Sequence, residues 1–150
     1  MDDDYTRALR SEGRDLTAEA GSQAPILHRD DEVEQLLRAV REGRSVLLVG
    51  KQGAGRTTVI RELARRMASG GGRKLFSIST STVMVGTRYS GEWQTKATRI
   101  AESAVKLKAA LYVSDIWNMS AVGRTSKNDD NLLDTLRPFI DSHRVAVVGE

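Results

Sequence analysis

Nine consecutive residues, Gly50-Lys51-Gln52-Gly53-Ala54-Gly55-Arg56-Thr57-Thr58, have the composition and spacing to hold a nucleoside triphosphate. The pattern is that of a phosphate-binding loop, G-x-x-x-x-G-K-[ST], with Arg56 where lysine is expected. Glycines in such a loop let successive N–H groups turn inward around an anion, and the helix that follows adds its positive end. The lysine reaches the β- and γ-phosphates, and the hydroxyl residue holds magnesium. Here Gly50, Gly53 and Gly55 supply the flexible positions, Ala54 and Thr58 complete the cradle, and Thr57 offers the hydroxyl. Arg56 keeps the charge but exchanges a compact ammonium for a planar fork, which is not a conservative change in a tight site. The glycines run G-x-x-G-x-G, so the dinucleotide pattern G-x-G-x-x-G is not met. The bland alternative is an ordinary glycine-rich strand-to-helix turn.

A triphosphate-hydrolysing site needs a second element, an apolar strand ending in a carboxylate pair. Its first acid anchors the magnesium shell and its second orients the attacking water. The run Leu111-Tyr112-Val113 followed by Ser114-Asp115 stands in this role. In the unslipped register Ser114 takes the magnesium position and Asp115 the catalytic one. A hydroxyl holds magnesium-bound water more weakly than a carboxylate, and Asp115 is one methylene shorter than glutamate. A one-residue slip would make Asp115 the magnesium ligand, at the cost of turning the strand's faces over. Asp115 also reads as a helix cap or a surface acid.

These residues need a scaffold of alternating strands and helices. Ser45–Val49 is a strand before the loop, and Val59, Ile60, Leu63, Ala64 and Met67 follow at helical spacing to about Ala68. Upstream, Asp30 or Asp31 is placed to cap a helix presenting Val33, Leu36, Leu37 and Val40. Downstream, Lys74–Ile78 reads as a strand followed by a Ser/Thr-rich turn. Glu92 to about Lys108 is helical, with Trp93, Ala97, Ile100, Ala101 and Ala104 on one stripe. Ala110–Val113 is a strand, Ser120–Asn128 a polar loop, Asp129–Ile140 a helix and Val145–Val148 a last strand. Such alternation predicts a parallel sheet covered on both faces. Residues 1–24 are polar and weakly periodic, and read as a lead-in linker before a domain spanning 25–150.

Composition narrows the classes. A chain of 150 residues with 39% hydrophobic content can build one domain with a core. Its longest apolar run is too short to span a membrane, and the acidic start Met1-Asp2-Asp3-Asp4 is unlike a secretory signal. There are no cysteines, and the two histidines, His28 and His143, are too few for a metal cluster. The cytoplasm is the expected compartment. Net charge is +3, divided as −6 over residues 1–34 and +9 over the remainder. A basic body suits nucleic acid or a polyphosphate alike, and no base-reading motif accompanies it, so nucleic acid is not the expected partner.

With these segments in order, the chain resembles the first ATPase ring domain of the Clp-type AAA+ unfoldases and disaggregases. Gly13-Arg14-Asp15-Leu16-Thr17 is similar to the family's GRDLT linker, and Pro25 to Val33 to its PVIGRDEEI segment. The phosphate loop comes next. Gly86-Thr87-Arg88-Tyr89-Ser90-Gly91-Glu92-Trp93 then resembles the GTKYRGEFE pore loop, and Leu111 to Trp117 resembles LFIDEIH. The resemblance implies a three-layer P-loop fold with sheet order 5-1-4-3-2, cut off before the fifth strand. It implies that Ile26 and Leu27 touch adenine, that Gly50 to Thr58 hold ATP or ADP with Mg2+, and that Thr57 and Ser114 stand on the metal side. Tyr89, framed by Thr87, Arg88 and Gly91, matches the aromatic that grips a translocating polypeptide. Expected partners are other AAA+ subunits in a ring, a hexamer in a full-length protein, and protein clients. The departures are His28 for a glycine, Arg56 for lysine, Ser90 for arginine, Ser114 for aspartate and Asp115 for glutamate. Three readings follow: a nucleotide-binding module with weak or absent hydrolysis, an interaction module with an empty site, and an active ATPase in which Arg56 and a slipped Asp115 suffice.

Overall fold

Residues of the strand segments alternate between two apolar surfaces, and that alternation builds three layers. The computed structural model describes residues 2–26, 28–87, 91–124 and 129–150. Chain order is α1 (Asp2–Glu12), β1 (Gly13–Asp15), α2 (Leu16–Glu19), α3 (Asp30–Arg41), β2 (Val46–Leu47), α4 (Arg56–Ser69), β3 (Leu75–Ile78), α5 (Thr80–Met84), α6 (Glu92–Leu107), β4 (Ala110–Val113), α7 (Leu132–Asp141) and β5 (Val147–Gly149). Short 3-10 turns follow α2 and β4. The sheet order is β1-β3-β4-β5-β2. β2, β5, β4 and β3 run parallel, and in that sequence they reproduce the expected 1-4-3-2 arrangement.

One face carries Phe76, Ile78, Leu111, Val113, Val145 and Val147 against α1, α6 and α7. The other carries Leu75, Ala110, Tyr112, Ala146 and Val148 against α3 and α4. Adjacent strand residues go to opposite faces, as a pleat requires, and both faces are covered, as expected of a largely parallel sheet. The predicted stripe of α6 is buried throughout, from Trp93 to Ala104.

Several boundaries differ from expectation. The segment read as a linker carries structure: α1 packs along α6 with Leu9 fully buried, and β1 pairs antiparallel with β3. The sheet is therefore mixed rather than wholly parallel. The α1 signal is weak because only Ala8 and Leu9 of the helix are fully buried, and tertiary packing rather than local pattern stabilises it. β1 depends on Gly13, where a Cβ would lie 2.2 Å from the Ser77 carbonyl oxygen. The Ser/Thr-rich turn after β3 is the one-turn helix α5, with the Ser79 hydroxyl accepting the Thr82 N–H. Helix α3 begins after Arg29 with no side-chain cap. Asp30, one of the expected caps, is instead paired with Arg66 of α4. Helix α7 starts at Leu132 rather than Asp129, because Asn131 and Asp134 form a reciprocal capping box.

Candidate nucleotide site

The loop after β2 has the shape its glycines predict. Leu48 extends the pairing by donating to the Gly149 carbonyl at 2.7 Å, and the chain then leaves the sheet. The Ala54 N–H closes a turn onto the Lys51 carbonyl at 3.0 Å. Gly53 and Gly55 both hold left-handed backbone, with φ of 82° and 86°, a conformation that costs any residue with a Cβ. Helix α4 starts at Arg56 with no side chain capping its N-terminus. An uncapped first turn presents N–H groups and a partial positive charge to an incoming anion. Arg56 is the first residue of the helix.

Arg56 is half-buried, and its stem lies beside Gly50. A Cβ at Gly50 would sit 3.8 Å from Arg56 Cδ. Tyr112, on β4 facing α4, has its phenol pKa pushed up, first by burial and then by Glu150 at the end of β5, while Arg56 pulls it the other way. The Arg56 guanidinium is thus felt at the Tyr112 phenol. Thr57 and Ser114 are both exposed at this C-terminal edge of the sheet, the side where ligands bind in parallel α/β sheets.

Asp115 points elsewhere. Both of its carboxylate oxygens accept the Thr80 N–H, at 3.2 and 3.3 Å. Thr80 opens α5, directly beyond β3. β3 flanks β4 on the side away from β5 and β2, so this contact draws the carboxylate away from the phosphate loop. The geometry is that of an acid at a helix N-terminus.

Ile26 and Arg29, on the strap before α3, tie it to α4 and to the phosphate loop. Ile26 donates its N–H to Glu62 Oε2 at 3.3 Å. Leu27 lies outside the described residues. His28 holds a left-handed backbone, φ 69°, which explains why glycine suits this position in the similar family pattern. Arg29 donates through Nη2 to the Ala54 carbonyl at 2.7 Å and pairs with Glu32. The loop is thereby tied to the α3 N-terminus.

Sequence reasoning missed Glu62. It is 1% exposed, on the α4 face turned toward the strap. Arg65 grips it with two bonds, at 2.7 and 2.9 Å, and Arg66 Nε adds a third at 3.1 Å. Arg66 also reaches Glu34 and Asp30 on α3. These bonds, Arg65 foremost, overcome the cost of burial and lower the Glu62 carboxyl from 4.5 to about 2. The nearest sequence signal was the spacing of Glu62 to Arg65 and Arg66, which alone reads as a surface pair.

Of the residues matched to a pore loop, Thr87 and Gly91 are described. Thr87 donates through its hydroxyl to the Met84 carbonyl at 2.6 Å. Gly91 is the left-handed N-cap of α6, φ 98°. Arg88 and Tyr89 lie outside the described residues. Among the described residues there is no group of three or more acids or histidines that could hold a metal by itself. Among the described residues no helix is long and apolar enough to cross a membrane.

Comparison with known proteins agrees with this geometry. The profile of the AAA family, "ATPase family associated with various cellular activities", matches residues 46–149. Chaperone protein ClpB of Lactiplantibacillus plantarum is 26% identical over 161 residues, a match covering 98% of this chain and 18% of that protein. The Clp protease ATP-binding subunit ClpL of Staphylococcus aureus is 26% identical over 154 residues, covering 94% of this chain and 22% of that protein. The chain thus spans about a fifth of the length of these relatives. In three dimensions it is similar to the S. cerevisiae Hsp104–ADP complex, with a TM-score of 0.74 and 20% identity over 95% of this chain and 26% of that one. The S. cerevisiae Hsp104–casein complex in its extended conformation gives a TM-score of 0.74 at 19% identity, again over 95% and 26%.

Proposed function

The chain belongs to the AAA family of ATPases, and on that premise we propose that it is the nucleotide-binding part of a Clp-like protein-remodelling chaperone, holding ATP or ADP with Mg2+ and hydrolysing it weakly or not at all. The observation that carries the reading is the loop from Gly50 to Thr58. Its two left-handed glycines and the uncapped start of α4 form a receptor for phosphate. In this reading the amides of Gly53, Gly55, Thr57 and Thr58 take the phosphates, Ala54 holds the turn through its bond to Lys51, and the Arg56 guanidinium faces the β- and γ-groups. Thr57 supports the magnesium, with Ser114 a weak second contact. Ile26 and Leu27 meet the base, with Ile26 held by Glu62.

Weak hydrolysis follows from the far end of β4. Ser114 brings no charge to the metal shell. Asp115, the remaining acid, is engaged by the Thr80 N–H, which counts against the reading of an active enzyme with a slipped strand. Residues 25–150 would form part of an AAA+ domain, with other AAA+ subunits completing a ring. Hsp104 has been captured with casein, and here the residues Thr87, Arg88, Tyr89 and Gly91 would contact such a polypeptide. The aromatic face of Tyr89 suits sequence-independent grip. The cytoplasm is the proposed compartment.

One observation favours a second reading, an interaction module whose site stays empty: the wider Arg56 side chain stands at the lysine position with its stem beside Gly50. Titration with a fluorescent ATP analogue separates the two. Saturation at micromolar analogue in the presence of magnesium supports the proposal, and no saturation at millimolar analogue refutes it. Arg56→Lys should tighten binding, because a single ammonium replaces the fork without filling the loop.

A further inference from the structure

We infer that Lys96 is a positioning residue that holds the root of the loop between α5 and α6, and that Glu12 on the N-terminal helix sets its strength. Lys96 lies in the second turn of α6, whose N-cap is Gly91. Its ammonium donates to the carbonyls of Val85 at 2.9 Å and Thr82 at 3.3 Å. Its remaining proton faces Glu12 Oε2 at 3.1 Å. Three donors therefore meet three acceptors, which satisfies the ammonium completely.

The placement matters more than the pairing. Thr82 and Val85 lie at the end of α5, where unpaired carbonyls and the negative end of the helix collect. Val85 leads into the loop, and Gly91 leads out of it into the helix that carries Lys96. One ammonium thus ties the incoming side of the segment to the outgoing side. Glu12 is the last residue of α1, which is anchored on the same helix through buried Leu9. The side chains of Lys96 and Glu12 are only 26% and 21% exposed, so their attraction is less screened than that of a surface pair. Glu12 holds the ammonium against the carbonyls, which couples the N-terminal segment to the loop root.

The consequence for polypeptide grip rests on the reading of Thr87 to Gly91 proposed above, whereas the clamp itself does not. Hydrogen exchange on the full chain tests the clamp through the amides of Val85 and Thr87, which donate to Ser81 and Met84. In Lys96→Met these amides should exchange about tenfold faster, while Leu111 and Val113 in the central strand keep their protection. Lys96→Arg keeps the charge and N–H donors and should accelerate these amides less than Lys96→Met does. Glu12→Gln should move the same amides in the Lys96→Met direction by a smaller factor. Unchanged exchange at Val85 and Thr87 in Lys96→Met, or equal acceleration in Lys96→Arg, overturns the inference. If Lys96→Met does not fold, Glu12→Gln decides, and an unchanged loop root in that variant overturns it. Casein binding by Tyr89→Ala is read separately. A loosened loop root together with undiminished casein binding by Tyr89→Ala removes the gripping reading and leaves the clamp standing.

Discussion

Replacing Glu62 by glutamine should cost about 3 kcal/mol at pH 7, a figure that follows from the bonds around its carboxylate. The group accepts from Arg65 twice, from Arg66 and from the Ile26 N–H, and is itself 1% exposed. Its carboxyl is lowered from 4.5 to about 2, and a shift of that size corresponds to about 3 kcal/mol of preference for the charged form in the folded state. Breaking a buried pair costs about 3–5 kcal/mol when the remaining charge is stranded. Arg65 and Arg66 are 28% and 20% exposed, and Arg66 keeps Asp30 and Glu34, so the lower part of that range applies. The sign follows from the direction of the shift. A carboxyl depressed in the folded state contributes its full stability above pH about 4.5, and that contribution is lost as pH falls from there toward about 2. Urea unfolding of the parent chain and Glu62→Gln, followed by far-ultraviolet circular dichroism at steps between pH 7 and pH 2.5, measures the gap directly. It should be widest at neutral pH and narrow steadily below pH 4.5. A gap under about 0.5 kcal/mol at pH 7, or one unaltered by acid, would refute the assignment. Glu62→Gln should also weaken nucleotide binding, since Ile26 loses its charged anchor.

Three further substitutions probe the frame of the site. His28→Gly should stabilise the chain by about 0.5–1 kcal/mol, because relief of the left-handed strain exceeds the added freedom of the unfolded glycine; thermal unfolding checks it, and a lower midpoint contradicts it. Asp115→Ala should cost about 1–2 kcal/mol by leaving the Thr80 N–H without its carboxylate. If Asp115 acts instead on an attacking water, the same variant loses phosphate release and keeps its stability. Gly123→Ala should destabilise by about 1–3 kcal/mol and red-shift Trp93 emission, because the new Cβ would stand 2.5 Å from Trp93 Cζ2 at a φ of 98°.

How far the sequence discloses the site depends on the distance between the residues involved. The phosphate loop is contiguous, so its glycines, its preceding strand and its following helix are all visible within a short window. The α6 stripe from Trp93 to Ala104 is likewise a local period, and it is buried as read. Strand order is not local, yet it follows from the resemblance and is observed. The N-terminal segment escaped because α1 buries so little of itself; its folding is a property of the α6 surface it meets. Glu62 escaped for a related reason. Its partners Arg65 and Arg66 are one helical turn away, but its burial comes from a strap 36 residues distant in sequence.

The same distinction explains the acidic end of β4. From the sequence, Ser114-Asp115 reads as an eroded catalytic pair, a reading that concerns only which residue types are present. The contact between Asp115 and Thr80 shows what the shorter acid does in their place. A carboxylate at the end of β4 has two neighbours to choose between: the phosphate loop, beyond β5, and the start of α5, beside it across β3. The α5 N-terminus offers an N–H and a partial positive charge at contact distance, and aspartate satisfies both without extending. Ser114 has no charge with which to hold a metal in competition. The substitutions at 114 and 115 therefore act together. One removes the charge that would draw magnesium toward the strand end, and the other directs the remaining charge to stabilising α5. The end of β4 thus directs its one carboxylate to the start of α5 rather than toward the phosphate loop.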